Sequence, residues 1–179
     1  MQLIINLPDR EEVLASNRQR WEEILSDPRL ADLPGRIETN AFGNILMSPP
    51  PDSPHCQRSF RIGRLLEQIL GGIGFGECPI STIDGVKACD AAWFSAERYA
   101  QVRGQRAFEL APEICVEVVS PSNSAAELQH KRDLYFDAGA LECWTCDQHG
   151  NMTYYDAGKS DAPQTQSKLC PNFPEFISY

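Results

Sequence analysis

Ile114-Cys115-Val116-Glu117-Val118-Val119 is followed by Ser120-Pro121-Ser122-Asn123. Ser124-Ala125-Ala126-Glu127 comes next and opens the segment that carries Lys131. The first block is a nearly continuous β-branched run, which predicts a central strand buried on both faces. On a strand, Cys115, Glu117 and Val119 share one face, and Ile114, Val116 and Val118 share the other. Glu117 is the only carboxylate in that run, and a lone ionised carboxylate there would neutralise or destabilise the fold unless it found a partner. Ser124 and Glu127 form a capping box, predicting a helix to about Ala138 with Gly139 ending it. At about 100° per residue, Leu128, Leu134, Tyr135 and Ala138 flank Lys131, whereas Gln129, Arg132 and Asp133 point elsewhere. A lysine in the middle of a packing face points toward the sheet. Two blander readings stay open: an edge-strand glutamate reaching water, and a Glu127–Lys131 pair at i,i+4 with the lysine stem lying over core.

Working outward, Asp90 stands in a second apolar run, Asp90-Ala91-Ala92-Trp93-Phe94. It belongs to a strand at about 86–94, reached from a strand at about 77–83 through the Asp84-Gly85 turn. If the two runs pair, Asp90 and Glu117 become neighbours; otherwise Asp90 is a strand-end residue closing the turn. Upstream, Leu14, Trp21 and Leu25 recur at helical spacing in a surface helix over 9–27, capped by Asp9 with Glu12. Arg36-Ile37-Glu38-Thr39 and Gly43-Asn44-Ile45-Leu46-Met47-Ser48 read as a hairpin stopped by three prolines. Ser53-Pro54 reads as a cap and first-turn pair for a helix to Leu70, ended by Gly71-Gly72. A short helix at Ser95, a polar loop over 101–108 and strands at 141–146 and 152–155 follow. After Lys159 the chain is rich in Ser, Gln and Pro and reads as a tail anchored by Phe173 and Phe176. With no repeat or linker, the expectation is one α/β (α+β) domain over 1–179. Its core spans about 35–157 around a mixed sheet flanked by helices, and helix 9–27 is an appendage.

Composition excludes several classes. The chain has 179 residues, 42% apolar and 23% charged, ordinary for a soluble globular protein with a real core. No run approaches a membrane span. The start lacks a basic region followed by a long apolar one, so no signal peptide is expected. Seven cysteines, an odd number and several within strand-like runs, suit reduced thiols in a cytoplasm rather than a disulfide frame. A net charge of −9 argues against a protein that coats itself in nucleic acid, but leaves room for an enzyme with a local basic groove.

Asp90, Glu117 and a main-chain carbonyl, that of Val118, make a hard oxygen site for Mg²⁺ or Mn²⁺. Such a metal lowers the pKa of bound water and neutralises phosphate oxygens, and a nearby lysine orients the water or stabilises charge at phosphorus. The set suits phosphodiester hydrolysis, although spacing alone does not separate this from other metal-dependent hydrolyses. His55, Arg58, Arg61 and Arg64 recur at steps of three and read as a basic stripe for phosphate contacts, with Arg98, Arg103 and Arg106 nearby. A solvated helix face is the commoner explanation, and His55 equally suits a helix start. Cys143-Trp144-Thr145-Cys146 has C-x-x-C spacing, but on a strand the two thiols point to opposite faces, against redox or zinc chemistry.

Several of these blocks together are similar to one family. Glu38 with Gly43-Asn44-Ile45-Leu46-Met47-Ser48-Pro49, His55, Asp90 and Glu117-Val118-Val119-Ser120-Pro121-Ser122 carry the first part of the resemblance. Lys131 with Tyr135, and Ala138-Gly139-Ala140-Leu141-Glu142-Cys143-Trp144, carry the rest. From about Glu38 to Tyr155 the chain resembles the Uma-two family of restriction-endonuclease-like proteins, within the PD-(D/E)XK nuclease superfamily. The resemblance implies a restriction-endonuclease-like core with its site at one sheet edge. Asp90 and Glu117 would be Mg²⁺ ligands, Lys131 the catalytic lysine and Glu38 an accessory acid. Cys89 replaces the proline expected before the first Asp. Val119 stands where a lysine is expected two residues after the Glu, and in this family that lysine is displaced to the helix. The implied activity is a metal-dependent endonuclease acting on DNA; since cutting both strands of a duplex needs two sites or two events, a homodimer is the expected partner arrangement. The rival is a nuclease-fold module that binds nucleic acid or protein without cutting.

Overall fold

The Ile114–Val118 run forms strand β5, and each of its residues is buried. In this computed structural model, which describes residues 8–30 and 35–178, β5 lies inside a six-stranded sheet of order β3-β4-β5-β6-β7-β8. The strands are β3 (Ile73–Thr82), β4 (Gly85–Phe94), β6 (Glu142–Cys146), β7 (Met152–Asp156) and β8 (Lys159–Gln164). The β5–β6 pair is parallel and its neighbours are antiparallel, so the sheet is mixed. A parallel pair needs a long crossover, and helix α4 (Ala125–Asp137) supplies it. Residues 1–7, part of the start from which the absence of a leader was read, lie outside the described residues. Among the described residues no helix is long and apolar enough to cross a membrane.

Helices cover both faces of the sheet. On one, Ile62 and Leu66 of α2 (Ser53–Leu70) pack with Ala91, Trp93, Val116 and Trp144. On the other, Tyr135 at the end of α4 and Val102 of α3 (Ala96–Val102) pack with Cys78, Ala92, Phe94 and Cys115. Cys143 belongs to this second cluster and Cys146 to the first, so the C-x-x-C thiols lie on opposite faces, both buried. That removes the thiol redox reading. Helix α1 (Arg10–Ser26) is held by the predicted Asp9–Glu12 capping box and packs Trp21 and Ile24 against Val86.

A separate hairpin, β1 (Arg36–Thr39) with β2 (Ile45–Ser48), docks on the stretch of β4 that β3 pairs on one side and β5 leaves unpaired on the other. Val86 N–H donates to Thr39 Oγ1 at 2.8 Å, and Ala88 N–H donates to Glu38 Oε1 at 3.0 Å. Side chains thus satisfy edge amides that burial would otherwise leave orphaned. Gly85 makes the approach possible: it sits at φ +82°, and a Cβ there would lie 2.6 Å from the carbonyl oxygens of Thr39 and Asn40.

Three local expectations need correction. The tail after Lys159 contains β8, which pairs with β7. Its exposure alternates between exposed and half-buried, and Pro163 lies within it. An outer strand needs no apolar signature and tolerates proline. The cap of α2 is Asp52, whose side chain accepts from His55 N–H, rather than Ser53. The carboxylate one residue earlier serves because it reaches the His55 amide at 2.9 Å, and Pro54, whose missing N–H costs nothing in a first turn, stays within that turn. The C-terminal anchors are Phe173 and Ile177; Phe176 is exposed.

Candidate active site

Strands β4 and β5 are paired only from Ala91 opposite Val116 to Trp93 opposite Ile114. Beyond Ala91 they part, and Asp90 and Glu117 flank the fork. The β3–β4 ladder also skips Asp90: Gly76 faces Ala91 and Cys78 faces Cys89, while Glu77 between them has φ 51°. A non-glycine residue in that region is sterically costly and marks a local distortion. Cys89 packs with one core cluster and Ala91 with the other, so the strict alternation of the strand slips at Asp90. The distortion releases Asp90 from the ladder and turns its carboxylate into the fork.

Asp90 is 3% exposed and Glu117 8%, so both need partners. Asp90 Oδ2 accepts from Val118 N–H at 2.7 Å. Its Oδ1 is paired with Arg36 Nη1 and lies 3.2 Å from His55 Nε2. Glu117 Oε1 accepts from the Tyr135 hydroxyl at 2.6 Å and lies 3.4 Å from Lys131 Nζ. Lys131 Nζ also donates to Glu38 Oε1 at 2.8 Å. Glu38 therefore bridges the β4 edge, through Ala88 N–H, and the lysine. The Glu127–Lys131 pair is not made; Glu127 serves the Ser124 cap.

Asp90, Glu117, Arg36 and His55 line a cavity of about 560 Å³, walled further by residues 49–51 and 120–123. Lys131 and Tyr135 are not part of that lining and meet it through Glu117 Oε1. Burial drives the Glu117 carboxyl upward and Asp90 adds to it; Lys131 and Arg36 pull it back, leaving it at about 7. Burial pushes the same way on Asp90, but His55 and Arg36 outweigh it and hold its carboxyl below the ordinary range. The hydrogen bond to Asp90 raises His55 despite burial. Burial works against the Lys131 ammonium, yet Glu117 and Glu38 raise it further, so it is charged at neutral pH.

The donors available at the fork are oxygen: the carboxylates of Asp90 and Glu117, and the main-chain carbonyl of Val118, a residue that lines the same cavity. Among the described residues no group of three His, Cys, Asp or Glu side chains converges as a ready-made metal cage. Such a set fits a hard cation that keeps much of its own water, as Mg²⁺ does.

The structure brings Asp90, Glu117, Lys131, Glu38 and His55 together. It does not keep His55, Arg58, Arg61 and Arg64 as one stripe. His55 and buried Arg58 line the cavity, whereas Arg61 and Arg64 are exposed, and Arg61 donates to Ser178 Oγ at 2.9 Å. Steps of three fall about 60° behind each turn, so residues nine apart stand on opposite sides of a helix. Arg98 also serves structure: it donates to the Ala111 and Gly139 carbonyls. Arg106 pairs with Glu22.

Arg36 and the Tyr135 hydroxyl belong to the site but were missed in the sequence. Both carried a usable signal. Arg36 lies two residues before Glu38 on a strand, hence on the same face, and Tyr135 lies four after Lys131 on a helix.

A family model described as "Uma2: Putative restriction endonuclease" matches residues 21–170. No curated protein matches the chain. Among solved structures, the crystal structure of "a putative nuclease belonging to DUF820 from Anabaena variabilis" is similar, with a TM-score of 0.62 at 17% identity, over 80% of this chain and 82% of that one. At that identity the likeness is one of fold.

Proposed function

The chain belongs to the Uma2 family of putative restriction endonucleases, and we propose that its β4–β5 fork hydrolyses phosphodiester bonds of DNA with the help of Mg²⁺ or Mn²⁺. The observation that carries this reading is Lys131. Its ammonium reaches across from α4 to lie between Glu38 and Glu117, beside the strand that holds Asp90. Asp90, Glu117 and the Val118 carbonyl would hold the cation, which when bound supplies water activation and neutralises charge on the phosphate.

The rest is work for the protein's own groups. Tyr135 fixes the Glu117 rotamer through its hydroxyl. Lys131 stays protonated and places its charge beside Glu117 on the cavity wall, to act on negative charge that grows on a phosphorane-like transition state. Glu38 holds the lysine in place, and Ala88 N–H holds Glu38, so the ammonium is oriented before substrate arrives. Burial under α4 keeps these charges out of bulk water, where they act more strongly.

The test is Mn²⁺-dependent cleavage of plasmid DNA by purified protein, set against Asp90→Ala and Lys131→Ala. Loss of cleavage by about 10³-fold or more in both is expected, in line with removal of a group that stabilises the transition state directly. Equal cleavage by all three proteins assigns the activity to a contaminant and ends the proposal. One observation favours the rival, a nuclease-fold module that binds without cutting: Glu38, Asp90 and Glu117 are already faced by Arg36, Lys131 and His55. Calorimetric Mn²⁺ binding that depends on Asp90 separates the two.

A further inference from the structure

Asp90 differs from the other two acids in what holds it. Glu38 and Glu117 share Lys131, which the reaction needs where it is. Asp90 is instead held by His55, whose Nε2 lies 3.2 Å from Oδ1, and by Arg36, whose Nη1 pairs with the same oxygen while Nη2 lies 3.8 Å from Glu38 Oε1. Oδ2 is committed to Val118 N–H at 2.7 Å. Arg36 and His55, which both line the cavity, meet Asp90 at Oδ1, so Oδ1 is the oxygen that faces the approach of a cation, and a guanidinium already sits on it. Arg36 comes from the β1–β2 hairpin, outside the six-stranded sheet, and its side chain lines the cavity with 18% of its surface exposed. A fixed structural arginine would close the site; one on the cavity wall has somewhere to go.

Resting on the metal-dependent reading above, we infer that Arg36 is a built-in occupant of the metal position. It holds Asp90 Oδ1 until a divalent cation takes that oxygen, and once displaced it is free to take a phosphate oxygen of the substrate. Toward the metal, Arg36 is then a positioning residue; toward the substrate it is a direct contact. It stabilises the metal-free fork, in which Asp90 would otherwise lie buried beside Glu117 with less positive charge facing it. It also makes the cation compete for its ligand, because apparent affinity falls by the fraction of time the ligand is occupied. A planar fork that pairs with a carboxylate pairs equally well with a phosphate, which suits the exchange.

The test is calorimetric titration with Mn²⁺, without nucleic acid, at pH 8. It compares the wild type with Arg36→Gln, Arg36→Lys and Asp90→Asn. Arg36→Gln is expected to bind Mn²⁺ about tenfold more tightly, the gain from freeing an oxygen occupied about nine-tenths of the time. Arg36→Lys should fall between it and the wild type, and Asp90→Asn should not bind. A purely structural arginine predicts the opposite sign, since its loss would loosen Asp90 and weaken the metal. Equal or weaker binding by Arg36→Gln, with Asp90→Asn still inactive in binding, overturns this inference and leaves the metal site standing. No binding by the wild type, or binding indifferent to Asp90→Asn, overturns both. Should Arg36→Gln fail to fold, the wild type answers alone. The ¹⁵Nε resonance of Arg36 is expected to move with Mg²⁺ at the same midpoint as the Asp90 backbone signal. A resonance that stays fixed while Asp90 shifts overturns the inference.

Discussion

Glu117 and Glu142 are buried glutamates on adjacent parallel strands, and they are held in opposite ways. Glu142 is 2% exposed. Its Oε1 accepts the Lys168 and Leu169 amides at 2.8 Å each, and its Oε2 accepts the Ser167 hydroxyl at 2.6 Å and the Trp144 indole at 2.7 Å. Four neutral donors, two from the backbone, saturate it and tie the C-terminal segment to the sheet. Glu117 has a phenol and an ammonium on one oxygen and lines a cavity. Burial alone therefore does not mark a chemical carboxylate. The distinction lies in whether the donors are fixed and neutral or charged and facing open space.

The widest break between the two comes from the same substitution at each. Glu117→Gln should abolish cleavage, to below about one part in 10³ of wild type, while the protein still unfolds cooperatively. Glu142→Gln should leave the fork's geometry intact but lower the unfolding free energy by about 3 kcal/mol, because an amide NH₂ now meets donors that had a carboxylate. Denaturant titration and plasmid cleavage on both variants check this. Two variants that lose activity and stability in parallel would erase the distinction.

A smaller effect follows from pH. The Glu117 carboxyl is raised from its ordinary 4.5 to about 7 in the folded protein. A raised folded pKa contributes stability that is fully present below 4.5 and is lost as pH rises through about 7. Each pKa unit is worth about 1.4 kcal/mol, so the loss is on the order of 3 kcal/mol by pH 8. His55, also raised, acts in the same direction. Asp90 is held below its ordinary 3.8, so its contribution is lost only in acid below that value. Metal-free protein is therefore expected to melt lower at pH 8 than at pH 5. The slope should flatten in Glu117→Gln, and Mg²⁺ should recover more at pH 8 than at pH 5. Thermal melts across that range check it, and identical slopes in wild type and Glu117→Gln contradict it.

The smallest effect is reserved for the helix stripe. Arg61 and Arg64 are exposed away from the cavity, so changing both to alanine should alter cleavage less than about threefold at moderate salt, because exposed charges are screened. A loss comparable to that of Lys131→Ala would restore the stripe as a nucleic-acid contact.

How much of this the sequence displayed depends on how local each signal was. Lys131 was legible because helical phase is a property of neighbours, and Leu134, Tyr135 and Ala138 are all buried beside it as that phase requires. Asp90 and Glu117 stood out as charges in apolar runs, and the short β4–β5 ladder explains their adjacency. Arg36 was not legible as the partner of Asp90. The two lie 54 residues apart, and the hairpin docks through side-chain hydrogen bonds rather than a strand ladder. The stripe fails for the opposite reason: an even spacing of three suggests one face, yet it winds around the helix. Strand β8 hid because an outer strand carries little hydrophobic pattern, and it is also what covers Arg132, whose Nε donates to Ser160 O at 2.6 Å.

The claim on which all of this rests is that the fork binds a divalent cation through Asp90 and Glu117. Crystals grown or soaked with Mn²⁺ and measured at the manganese edge test it most directly. The account predicts an anomalous peak at the Asp90 and Glu117 carboxylates beside the Val118 carbonyl, with Arg36 withdrawn from Asp90 Oδ1. An undisturbed Arg36–Asp90 pair with no peak at the fork, or with manganese bound only elsewhere, would contradict it.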